Sequence, residues 1–439
     1  MALGLGLLVF LASVIGCVVT GTDIVFSLAL GLVIFVTVAM TRGFGFKEVM
    51  KMAIKGGNES FIVVEVMLLI GMLTAVWRSA GTITFFVHYG TLMMQPRLFI
   101  LFAFLLCCLL SYLLGTSFGV AGTMGVIIMT IARSSGADLV LTAGAVMSGI
   151  YFGDRNSPVS SSAILVANIT GTDIYENVKL MFKTSVIPMA FCLGAYSLLS
   201  FSNPLEAMDQ QAADRLSSAF SLSLWTAVPA VFMLVLPIFR IAIDKLLICS
   251  IVSSGLVSLF VQHMGLGQLV RCVFFGYSCG DSELSSIIDG GGAMSMVTVC
   301  LVVYLSSAYS GIFNGTKMLE DIQNLLERLT KRAGGFITTA LVSTASGAVF
   351  CNQTIASIMS SNLMSSIYER GGGSKQELAI DIENSGIVTA GLVPWSMACF
   401  VPLKMMQVGF GALLHSYYLY LIPVCYIFTK RFTFKEGMR

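Results

Sequence analysis

Two polar stretches break the apolar parts of this chain about half a length apart: Gly153-Asp154-Arg155-Asn156-Ser157-Pro158-Val159 and Asp381-Ile382-Glu383-Asn384-Ser385-Gly386-Ile387. Hydrocarbon neither satisfies the backbone groups freed by a helix break nor solvates Asp, Arg and Glu, so such breaks persist only where protein, water or a bound ion supplies partners. Their occurrence in both halves is the pattern of a secondary transporter, and each marks a candidate binding site.

The surroundings are set by composition: 56% hydrophobic and 11% charged residues with a mean hydropathy of +0.89 predict an all-α polytopic membrane protein. Apolar runs at 2–20, 24–40, 61–76, 98–114, 139–151, 180–201, 221–239, 246–264, 295–312 and 413–428, with shorter arms at 82–94, 119–132, 336–350 and 354–368, predict about 10–12 membrane segments. Run 2–20 lacks a basic n-region and is read as a retained span. A net charge of +2, spread over short loops, excludes nucleic acid and leaves membrane lipid as the obligate partner, with a homodimer open. The eleven cysteines are scattered through apolar runs and predict neither disulfide nor metal cluster.

Loop charge gives the orientation. The loop 41–59 (Arg42, Lys47, Lys51, Lys55) and the tail 430–439 (Lys430, Arg431, Lys435, Arg439) are basic and predicted cytoplasmic, as are both termini. Loops 202–220 (Glu206, Asp209, Asp214, one Arg215) and 265–289 (Asp281, Glu283, Asp289, one Arg271) are acidic and predicted outside. Sliding the second half onto the first by about 228–230 residues, a shift taken from Asn156/Asn384 and Gly81/Gly311, superposes basic on acidic connections. That predicts two inverted-topology repeats with re-entrant hairpins and broken helices: a first repeat over 1–201, an extracytoplasmic linker over 202–220, a second repeat over 221–429 and a basic cytoplasmic tail over 430–439.

Before each break lies a predicted hairpin tip. The first, Gly115 to Gly125, offers Thr116, Ser117 and Thr123; the second, Ser346 to Thr354, offers Asn352, Gln353 and Thr354. Hydroxyl, amide and carbonyl oxygens suit a hard monovalent cation. Asn156, Ser157, Ser160, Asn384, Ser385 and Thr389 add further oxygens around the breaks. A carboxylate in a cavity binds a cation when ionised and carries a proton when neutral, which makes Asp154 the leading coupling candidate, with Glu65 and Glu383 beside it. Arg155 either balances Asp154 or holds a substrate carboxylate, and Lys404 is placed to neutralise Glu383 or to join proton coupling. Gly115-Thr116-Ser117-Phe118-Gly119 matches a nucleophile elbow, but the strand-to-helix turn and the His and acid partners are missing, so enzyme chemistry is excluded. A channel would need rings of like charge around a continuous pore, which midplane breaks argue against.

The stretch Gly153-Asp-Arg-Asn-Ser-Pro-Val-Ser-Ser-Ser162, with upstream Gly115 to Gly125 and downstream Gly386-Ile-Val-Thr-Ala-Gly-Leu-Val-Pro-Trp395, resembles the NhaC-type sodium/proton antiporter family over most of the chain. Gly153, Asp154, Ser157, Pro158 and Ser160 match the family's first motif and Arg155 keeps its positive charge, while Ser161 stands where the family has a second acid. In the second half Asn384, Ala390, Gly391 and Ser396 likewise depart from the family pattern. The resemblance implies an inner-membrane Na+/H+ antiporter working by alternating access, with Na+ and H+ as the transported ions, Asp154 as the shared acid and no cofactor. The missing acid and Arg155 motivate the alternative, a Na+- or H+-coupled transporter of an amino acid or organic carboxylate.

Overall fold

The computed structural model describes residues 2–93, 95–204, 220–239, 241–280, 285, 288–316, 318 and 323–434. Glu206, Asp209, Asp214, Arg215, Asp281 and Glu283 of the acidic loops, and Lys435 and Arg439 of the tail, lie outside the described residues.

The described chain is helical almost throughout: α1 Ala2–Thr20, α2 Ile24–Thr41, α3 Phe46–Glu59, α4 Phe61–Ser79, α5 Thr82–Met93, α6 Phe99–Leu114, α7 Ser117–Ser134, α8 Leu139–Asn156, α9 Ser161–Thr170, α10 Ile174–Ser202, α11 Val228–Val235, α12 Ile243–Phe260, α13 Leu266–Phe275, α14 Val297–Thr316, α15 Gln323–Ala333, α16 Gly335–Phe350, α17 Gln353–Arg370, α18 Lys375–Ile382, α19 Met397–Met406 and α20 Tyr417–Thr433. Eight of the described helices are long and apolar enough to cross a membrane, and four shorter ones are apolar. The protein is therefore a multi-pass helical membrane protein. Backbone groups at helix starts are taken up by side-chain caps, as where Asp138 accepts from the amides of Val140 and Leu141 and Asp173 from those of Tyr175 and Glu176.

Residues 41–59, expected as a basic loop, contain α3. Val49, Ala53, Gly56 and Gly57 fall on one buried face at helical spacing while Lys47, Lys51 and Lys55 stay exposed. The small residues let α3 lie against α14, Gly56 facing the Ser307 carbonyl and the Gly311 backbone, and Gly57 facing Tyr304. At the other end of the chain α20 runs to Thr433, so Lys430 belongs to a helix and not to a separate tail.

The same backbone course occurs twice. α6 recurs as α16, from Phe99 to Gly335, and α9 as α19, from Ser161 to Met397, a constant shift of 236 residues. Left-handed caps keep that register: Gly115 (φ +64°) with Cys351 (φ +52°), and Gly171 (φ +66°) with Gln407 (φ +55°). The extended residues Thr116 (φ −150°) and Asn352 (φ −139°), which cap α7 and α17, keep it too. The shift expected from Asn156 and Asn384 is thus corrected. Those two Asn-Ser pairs occupy different steps of the backbone, Asn384 falling opposite Ser148 and Asn156 opposite Leu392.

Within each unit a hairpin arm runs alongside the broken helix in one direction: Gly149 and Gly153 of α8 lie against Cys107 and Ser111 of α6, as Gly386 and Ala390 lie against Ser343 and Gly347 of α16. The two broken helices, α8–α9 and α18–α19, run antiparallel. Gly171, after α9, lies beside Lys375 at the start of α18, and Arg133, just before α8, donates to the Met406 carbonyl at the end of α19. The hairpins α6–α7 and α16–α17 therefore enter from opposite ends and their tips meet inside.

Gly153 sets how closely α8 approaches α6. A Cβ there would sit 2.1 Å from both the Ser111 carbonyl carbon and the Tyr112 amide nitrogen, backbone atoms that cannot move aside. Gly153→Ala is expected to cost about 3 kcal/mol or more. Gly194→Ala, where nothing lies within 4 Å, is expected to be neutral or stabilising. Melting temperatures of the two variants in detergent check this.

Candidate ion-binding site

α8 stops at Asn156 because Ser157 precedes Pro158 and is extended (ψ 132°), which leaves the last carbonyls of the helix without the next turn. Asp154 sits in that final turn, only 2% exposed. The Ser160 hydroxyl, while capping α9, donates to the freed Asp154 carbonyl oxygen. The carboxylate accepts from Gln353 Nε2 at 3.3 Å and from the Ser162 hydroxyl at 3.3 Å, and Ser117 shares the cavity wall with it. Both hairpin tips thus reach the cavity that holds this carboxylate, Ser117 from the first and Gln353 from the second.

These groups line a cavity of about 620 Å³ together with Thr116, Ser161, Asn352 and Thr354, and its remaining wall is largely apolar. Asp154 is the one charged side chain among the described lining residues. Its mouth carries Ile62 and Tyr175, both exposed. An anionic oxygen, several hydroxyl and amide oxygens and the negative end of α8 together favour a hard cation of single charge.

Arg155 follows Asp154 by one residue and faces elsewhere, since neighbours on a helix diverge by about 100°. Its guanidinium is fully buried and outside the cavity lining. It donates to Asn156 Oδ1 (3.2 Å), the Ser185 hydroxyl (2.6 Å), the Tyr418 hydroxyl (3.1 Å), the Met181 carbonyl (3.3 Å), the Thr184 hydroxyl (2.5 Å) and Asn384 Oδ1. This network clamps α8, α10, α20 and the second break together. The expectation that Arg155 receives a substrate carboxylate is corrected on this ground: both terminal nitrogens are occupied by protein and none faces the cavity.

Several expected oxygens stay within the scaffold. The hydroxyl of Ser157 donates to the Tyr112 carbonyl (2.6 Å), that of Thr123 to the Gly119 carbonyl (2.7 Å) and that of Ser385 to the Asp381 carbonyl (2.6 Å). Thr389 accepts from Thr344 (3.1 Å), Asn156 and Asn384 belong to the Arg155 network, and none of these six lines the cavity. Glu383 is fully buried next to that network, both carboxyl oxygens without a hydrogen-bond partner among the described residues, and also stands off the cavity.

Two expectations fail on orientation. Glu65 is exposed on the face of α4 turned from the cavity, whose wall takes Ile62, Val63, Val66 and Met67 instead. Glu65→Gln is accordingly expected to leave ion exchange within about twofold of the parent, as an initial-rate assay would show. Lys404 is exposed in the last turn of α19, forms no ion pair with Glu383, and does not line the cavity.

Sequence reasoning also missed residues. Ser162 lies within a run of three serines with nothing to single it out. Asp381, fully buried, accepts from Tyr426 (2.9 Å), Tyr368 and Lys430, while Lys430 bridges to Glu377 at 2.7 Å, which ties α17, α18 and α20 together. The signal available is a carboxylate in an apolar stretch, which demands a partner; the partner, Lys430, is one of the residues expected in the basic cytoplasmic tail.

Residues 149–428, which include both breaks and the second hairpin, match the family model described as the Na+/H+ antiporter family. The chain is also 25% identical over 397 residues to the malate-2H+/Na+-lactate antiporter of Bacillus subtilis, covering 88% of this chain and 85% of that protein. It is 25% identical to the Na+/H+ antiporter NhaC of the same organism, with 90% of each chain covered, and 25% identical to the arginine/ornithine antiporter ArcD of Halobacterium salinarum, with 89% and 82% covered. With the match spanning well over half its length, the chain belongs to the Na+/H+ antiporter family.

Proposed function

We propose that this protein is a Na+/H+ antiporter that works by alternating access, with Asp154 as the carboxylate occupied by Na+ and H+ in turn. The observation that carries the reading is Asp154 itself: nearly fully buried, at the meeting point of two hairpin tips, and alone in charge among the described cavity-lining side chains. An ionised Asp154 attracts a cation from the cavity, while a proton on the same oxygens removes that attraction. One ion displaces the other, so the two move in opposite directions. The antiparallel units supply the second half of the mechanism, because two broken helices related in this way allow the cavity to open to one side and then the other around a fixed carboxylate.

Lys47, Lys51 and Lys55 lie just before the cavity-lining start of α4, and Lys331, Arg332 and Arg370 flank the hairpin that enters from the same end. Positive residues are retained in the cytoplasm, which supports a cell-membrane protein with this cavity open inward. The two units read as inverted repeats.

The test is a Na+ pulse to proteoliposomes holding a trapped pH dye. The reading predicts an immediate, Na+-dependent proton movement that rises with Na+ and is competed by protons. Folded protein that moves no protons on a Na+ pulse but exchanges an organic solute would overturn it. Relatives named for malate and lactate or for arginine and ornithine make organic solutes the comparison to include.

A further inference from the structure

The cavity is far roomier than Na+ requires. At about 30 Å³ per water, its 620 Å³ would hold roughly twenty waters, and ligand pockets for small organic molecules begin at about 300 Å³. Its wall is two-sided. Asp154, Ser117, Ser162 and Gln353 gather at one end, while Val63, Met67, Met233, Ile243, Leu246 and Met397 supply an apolar surface. No Lys or Arg side chain is among the described lining residues, and Arg155 is consumed by its own network. An organic carboxylate would therefore meet a buried carboxylate with nothing to balance it, at a cost of several kcal/mol for an unpaired buried charge.

A primary ammonium fits on both counts. Its charge answers Asp154, its three N–H groups need three acceptors, which the carboxylate and the Ser117 and Ser162 hydroxyls provide, and a short alkyl chain covers the apolar wall. Tyr175 at the mouth adds an aromatic face suited to an entering cation.

We propose that the Asp154 cavity also binds small organic ammonium ions, primary amines with an apolar body of a few carbons, in place of Na+. This rests on the reading of Asp154 as the cation site.

The test uses purified full-length protein in detergent, which avoids passage of neutral amine through a bilayer, and reads thermal stabilisation by ligand against choline chloride at equal ionic strength. Propylammonium is expected to raise the melting temperature by roughly 2 °C or more at saturation, and propionate to leave it unchanged. Na+ added first should weaken the propylammonium effect at least tenfold in apparent affinity. Asp154→Asn should lose the response to both cations. A Na+ response lost in Asp154→Asn, with no propylammonium response in the parent, overturns this inference and leaves the antiporter reading standing. Absence of any Na+ response would instead remove the reading on which it rests. Equal stabilisation by propylammonium in the parent and in Asp154→Asn would also overturn it, since binding would then lie elsewhere.

Discussion

Asp154→Asn is expected to reduce Na+-dependent proton movement at least 100-fold while the protein stays folded. The amide has the shape of the carboxyl group, and the surrounding bonds from Gln353 and Ser162 are each of the kind that an amide oxygen can still accept. What disappears is the one charge in the described lining and the one group there that exchanges a proton. Charge-assisted hydrogen bonds contribute about 1.5–3 kcal/mol each. Losing the equivalent of one or two removes a factor of about 100 in occupancy, at 1.4 kcal/mol per tenfold. Since the loss of proton exchange is absolute rather than graded, the flux should fall below that factor. A melting temperature within about 2 °C of the parent, measured on the same preparation, separates loss of chemistry from loss of fold.

Arg155→Met is expected to act in the opposite way, through stability. The guanidinium makes six hydrogen bonds to five side chains and one carbonyl on α8, α10, α20 and the second break. Methionine comes close to the volume but donates none of these bonds, which leaves the Asn384 side-chain oxygen only the long bond from Thr184 (3.4 Å) and the Asn156 oxygen only that from Ser185 (3.2 Å). A hydrogen bond from a charged donor contributes about 1.5–3 kcal/mol, and six share this one guanidinium, offset in part by the bonds that its partners keep among themselves. A loss of about 3–5 kcal/mol follows, comparable with breaking a buried charged network, and a fall in melting temperature of roughly 10 °C. Arg155→Lys should recover only a small part, because a single ammonium with three donors cannot span partners arranged around a planar fork. Fluorescence-detected size-exclusion profiles after heating give the ranking, with Arg155→Met lowest and the parent highest.

Much of the architecture was legible because it follows from solvent. Long apolar runs must become helices in lipid, and polar residues inside them must find partners, so the two breaks and the two Gly- or Asn-bearing tips could be placed from the sequence. The hairpin turns at Gly115 and Cys351 illustrate where that ends. One is a glycine and the other a cysteine, yet both take the left-handed conformation at equivalent steps of the fold. Backbone geometry has kept a 236-residue register that the letters have lost: Asp154 falls opposite Ala390 and Ser117 opposite Gln353. Matching the letters Asn-Ser gave a shift several residues short.

Orientation about a helix axis was the other loss. Asp154 and Arg155 read as a pair in sequence, but the hundred-degree step between neighbours sends one to the cavity and the other to α10 and α20. Glu65 failed for the same reason: α4 is apolar nearly all round, so its pattern does not say which face meets the cavity and which looks outward. Asp381 and Lys430 lie 49 residues apart, and only the packing of α18 on α20 brings them together.

The most direct test of the shared carboxylate is proton release on Na+ addition to the purified protein in weakly buffered detergent solution near neutral pH. The account predicts that Na+ expels protons from the parent, that the amount saturates with Na+, and that Asp154→Asn releases none. Na+ binding without proton release, or the same release from Asp154→Asn, would contradict it.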